Sequence, residues 1–88
     1  MAYGTFMLTH EVSVGEVKAA IEEKKTIAIE CFGKPKNRYF QFSPTKGGDH
    51  DQWIGLATEV GGHNPEEGRK EAILSGPTHG HMWLSLKS

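Results

Sequence analysis

A single cysteine, Cys31, is the only thiol in this 88-residue chain, so an internal disulfide framework is excluded. It lies in an apolar, β-branched run and reads as a buried structural group. No apolar stretch approaches the ~20 residues that a membrane helix needs. The opening residues, Met1-Ala2-Tyr3-Gly4-Thr5, lack the basic flank and apolar core of a secretory signal. A reducing, cytoplasmic setting without a membrane partner is the expectation. Net charge is nearly missing as well, at −1, so no global field draws the chain to DNA or anionic lipid.

Chemistry-bearing motifs are scarce. Lys46-Gly47-Gly48-Asp49 and Gly61-Gly62-His63-Asn64 are glycine pairs, too short for a P-loop or a dinucleotide fingerprint. Cys31 has no histidine near it in sequence, Ser75, Thr78 and Ser85 carry no nucleophile-elbow pattern, and no acid–base pair stands out. These absences argue against an enzyme, and no cofactor is predicted.

What remains suits one small α+β domain over residues 1–88, because a second core would leave each half too small to stand alone. A helix is predicted over about Val14 to Lys25. Ser13 can cap it, Glu16 completes a capping box, and Val12 and Val17 occupy staple positions. Val14, Val17 and Ile21, with Ala20 beside them, form its apolar stripe. Tyr3–Thr9 reads as a strand. Thr26–Phe32 alternates Ile27, Ile29 and Cys31 against Ala28, Glu30 and Phe32, and Arg38–Phe42 returns from the turn cluster Gly33–Asn37. Ser43–Asp51 has loop composition. Residues 52–60 fit either a strand or a helix, with strand favoured. Asn64-Pro65-Glu66-Glu67 resembles a helix start, yet Lys70–Ser75 also fits a strand that turns through Gly76-Pro77-Thr78 into His79–Leu86. The expected architecture is one helix packed on a mainly antiparallel sheet of four to six strands. A ferredoxin-like fold with two helices is the alternative.

Alternation then divides the sheet into two faces. Phe6, Ile27, Ile29, Phe40, Leu84 and Leu86 would face the core. Tyr3, Thr5, Met7, Glu30, Tyr39, Gln41, His79, His81 and Trp83 would face away. Tyrosine, tryptophan and histidine give much contact area with few rotors, so this second face is a candidate recognition surface. Tyr39, His79, His81 and Trp83 are its expected contacts, with Lys34, Lys36 and Arg38 as a charged rim. The leading expectation is a small non-catalytic adaptor or inhibitor of a protein partner, with the size and plainness of phage-encoded inhibitors of bacterial defence. An RNA- or nucleotide-binding domain using the basic turn 34–38 is the second reading. A third is a metal-dependent enzyme at His79 and His81, whose imidazoles would lie about 6–7 Å apart on a strand, with His63, His50, Asp49 or Asp51 as a further ligand. A homodimer is left open.

Overall fold

The computed structural model describes residues 3–61 and 68–87. Its elements run β1 (Tyr3–Met7), α1 (Val14–Glu23), β2 (Ile27–Cys31), β3 (Arg38–Gly47), β4 (Gln52–Val60), β5 (Lys70–Thr78) and β6 (His81–Lys87). The strands pair antiparallel in the spatial order β1-β6-β5-β4-β3-β2. This six-stranded sheet curls until its two edges meet. Leu8, just past β1, bridges Cys31 at the end of β2. There Thr9 N donates to Glu30 O and Phe32 N donates to Met7 O, each at 2.8 Å. Joining the edges satisfies backbone groups that an open sheet would leave exposed. The fold is mainly sheet within the α+β class, and α1 is the one helix among the described residues.

The concave face holds the core. Ile27, Ile29 and Cys31 of β2 join Phe40 and Phe42 of β3, Trp53 and Ala57 of β4, Ala72 and Leu74 of β5, and Met82 and Leu84 of β6. Phe6 and Leu86 pack against this cluster while partly buried. The expected inward set therefore does face inward. Cys31 is fully buried, and burial pushes its thiol up to about 12, so it is no nucleophile near neutral pH.

Helix α1 begins as its sequence implies: Ser13 is extended, and its side chain accepts from Glu16 N at 3.1 Å. Val12 and Val17 are both buried, as a staple requires. The helix ends at Glu23, short of the expected Lys25, because Lys24 adopts a left-handed cap at φ 53°. Val17 and Ala20 are fully buried, and the helix packs on β3, whereas Val14 turns to solvent.

Proline misleads the sequence reading twice. Ser43–Asp51 is not all loop, since β3 continues to Gly47 through a bulge between Pro44 and Lys46. Gly76 and Pro77 likewise sit in a bulge inside β5, and the turn falls later, at His79-Gly80, with φ of 53° and 79°. In β5 the bulge leaves Pro77, which has no N–H, out of the ladder, whereas in β3 Pro44 keeps its partner Gly55 and Thr45 is the residue left out; both strands bend. Residues 52–60 form a strand. Ile54, Leu56 and Val60 share the outer face, and Trp53, Gly55 and Ala57 turn inward. The described residues hold no second helix for the ferredoxin-like alternative. The expected helix start at Asn64–Glu67 lies outside them.

Candidate binding face at the sheet seam

Where β1 and β2 meet, two outward rows cross from one end of the sheet order to the other. Met7 pairs with Trp83 on its β6 side and lies opposite Phe32 on its β2 side, so Trp83, Met7 and Phe32 form one row. Leu8 N donates to Met82 O at 2.9 Å, which carries the β1–β6 register one step further and sets Thr9 beside His81. Thr9 in turn faces Glu30, which pairs with Tyr39, which pairs with Val60. His81, Thr9, Glu30, Tyr39 and Val60 thus make the adjoining row. Residues from opposite ends of the chain become neighbours only because the edges join.

Glu30 is the polar centre of this face. Its carboxylate accepts from Thr9 Oγ1 at 2.9 Å and from Asn37 Nδ2 at 3.4 Å, and Tyr39 is its cross-strand neighbour. The Tyr39 hydroxyl is the largest reason that Glu30 is more acidic than an ordinary glutamate, followed by the Thr9 bond. The Asn37 bond and the nearby His10 add smaller effects, and partial burial opposes them. The same interaction, with repulsion from the carboxylate, raises Tyr39 above an ordinary tyrosine. A carboxylate with two side-chain donors and a lowered pKa is a poor general base near neutrality. It works instead as a fastener between the tail of β1, β2 and β3.

The other expected site residues divide. Trp83 lies on the outer face, half-buried, with its indole N–H donating to Thr78 O at 3.3 Å along the β5–β6 hairpin. His81 is exposed at the start of β6. His79 is not on the strand, as expected, but in the turn, because His79-Gly80 supplies the two positive-φ positions that a tight hairpin needs. The His-x-His strand geometry expected for a metal is therefore not formed, and no cluster of three or more potential ligands occurs among the described residues. His63 lies outside them. Lys34 and Lys36 are exposed on the turn between β2 and β3. Arg38 is not a free rim charge: its guanidinium pairs with Glu59 and lies 4.7 Å over the Phe6 ring and 5.7 Å from the Phe40 ring centroid.

Several residues of the face were not singled out from sequence. In sequence Phe32 is only the outward end of an alternating strand, and Val60 falls in a segment that fits a strand or a helix. Thr9, His10, Glu11 and His81 line a cleft of about 150 Å³ floored by Leu8 and Met82, beside the seam. His10 and Glu11 lie between strand and helix, where no periodicity reports orientation. The arrangement offers aromatic and aliphatic contact area, two lysines and a fixed carboxylate. No family model, curated protein or solved structure matches this chain.

Proposed function

We propose that this chain is a small non-catalytic binding protein, an adaptor or inhibitor, whose protein partner docks on the seam face around Trp83. One observation carries the reading: Trp83, Met7 and Phe32 in one outward row adjoin Tyr39 and Val60 in the next. Interfaces concentrate their energy in such clusters of large, stiff side chains, with a polar rim that excludes water. Thr9, Glu30 and His81 would supply that rim. A reducing, cytoplasmic setting belongs to the same reading, supported by a sole thiol that is buried. The absence of any catalytic motif in the sequence is consistent with action by occupancy.

Affinity capture from cells with the wild-type chain, Trp83→Ala and the surface control Lys18→Ala tests it. A partner held by wild type and by Lys18→Ala should be lost with Trp83→Ala, a change of about 30-fold or more for a central aromatic. Identical recovery by all three would overturn the assignment of this face.

A further inference from the structure

The three most exposed large apolar side chains among the described residues are Tyr39 at 54%, Phe32 at 50% and Val60 at 49%. Register places all three at the basic-turn end of the seam face. Phe32 lies two residues beyond Glu30, the partner of Tyr39, so the two residues occupy diagonal positions on one face, their Cα atoms about 7–8 Å apart by sheet geometry. Between them the chain makes the turn that carries Lys34 and Lys36. Gly33 keeps that turn tight, since a Cβ there would lie 2.8 Å from Lys36 O. Lys25, Arg38 and Lys87 each have a carboxylate partner, and Lys34 and Lys36 have none among the described residues. No acidic residue lies between Cys31 and Gly48 in sequence. Two outward rings flanking two uncompensated cations suit a partner with flat π faces and repeated negative charge.

We infer that this end of the face binds single-stranded nucleic acid, with neighbouring bases stacked on Phe32 and Tyr39 and flanking phosphates contacted by Lys34 and Lys36. Every base has a π face, so such a platform is tolerant of sequence. The chain is near neutral overall, so binding is modest and sensitive to salt. The Glu30 carboxylate, held by Thr9 and Asn37, stands beside Tyr39 across the strands. This activity goes beyond the proposed protein contact. It shares Phe32 and Tyr39 with that contact and does not use Trp83.

Fluorescence anisotropy with labelled oligouridylate and oligothymidylate of about twelve nucleotides tests the inference. Between about 50 and 200 mM salt, two phosphate contacts give a log–log slope of about −1.4. Lys34→Glu combined with Lys36→Glu should weaken binding at least ~10-fold, and Phe32→Ala about 5-fold or more. Tyr39→Ala should resemble Phe32→Ala, while Tyr39→Phe, which keeps the ring and loses the hydroxyl, should bind nearly as wild type. Trp83→Ala should bind the oligonucleotides normally, so loss of protein capture in that variant reports on the other proposal alone. Melting curves confirm that each variant is folded, and the lysine and Phe32 variants decide the matter if a Tyr39 variant is not. Absence of binding at low salt, indifference to the lysine substitutions, or loss of binding in Trp83→Ala would overturn the inference.

Discussion

Gly55 shows how much one residue can be constrained by a neighbouring strand. A Cβ at this position would lie 2.2 Å from Ser43 O and 2.7 Å from Pro44 Cα, both backbone atoms that cannot rotate away. Gly55→Ala should therefore destabilise the fold by roughly 3 kcal/mol, the cost of overpacking with a forced backbone shift. Gly15 gives the opposite sign. It lies in α1 with nothing within 4 Å of a new Cβ, so Gly15→Ala should stabilise by about 0.5–1 kcal/mol. Urea melts of the two variants check both values. Equal effects would mean that helix propensity and strand crowding have been misjudged. In sequence the two are alike as glycines inside regular elements, and only the fold separates them.

At the scale of elements, the hairpin β5–β6 departs most from sequence expectation. Gly76-Pro77 looks like its turn, but a bulge absorbs both residues and the reversal occurs at His79-Gly80. His79 pays a steric cost at φ 53° that asparagine tolerates better, and Asn-Gly is the preferred pair for a turn of this type. His79→Asn should raise stability by about 0.5 kcal/mol, or about 2–4 °C in melting temperature, and leave capture of a protein partner unchanged. A loss of binding would return His79 to the recognition surface. The helix, by contrast, was readable almost whole. Ser13, Val12 and Val17 act through neighbours within a few positions in the chain, and such local interactions are visible without tertiary structure.

For the whole molecule, the seam is the feature that links stability to pH. Glu30 is more acidic folded than unfolded, so the stability it contributes is complete above the ordinary glutamate value of 4.5 and is lost as pH falls through its lower folded value. Tyr39 is raised, so its contribution is complete below the ordinary value of 10.0 and is lost as pH rises through its higher folded value. Glu30→Gln should flatten the acid limb of the stability profile and bring the Tyr39 titration, read by ultraviolet absorbance, back towards an ordinary tyrosine. Amide exchange at Thr9 and Phe32, whose N–H groups close the seam, should quicken in the same variant. An unchanged Tyr39 titration would mean that the interaction with Glu30 does not hold in solution.

The helix, the hairpin β2–β3 and the alternation of inward and outward residues were determined by the sequence, because each depends on spacing over a few positions. So was the pairing of Phe40 and Phe42 with Ile27, Ile29 and Cys31 on one face. The tertiary structure decided which end of an alternating segment faces the core in β4, where the prolines fit, and that Arg38 is held by Glu59 and two phenylalanine rings. It also decided that Trp83 and Phe32 share a row. That last neighbourhood requires two strand edges distant in the chain to hydrogen-bond, and no periodicity within either strand encodes the meeting.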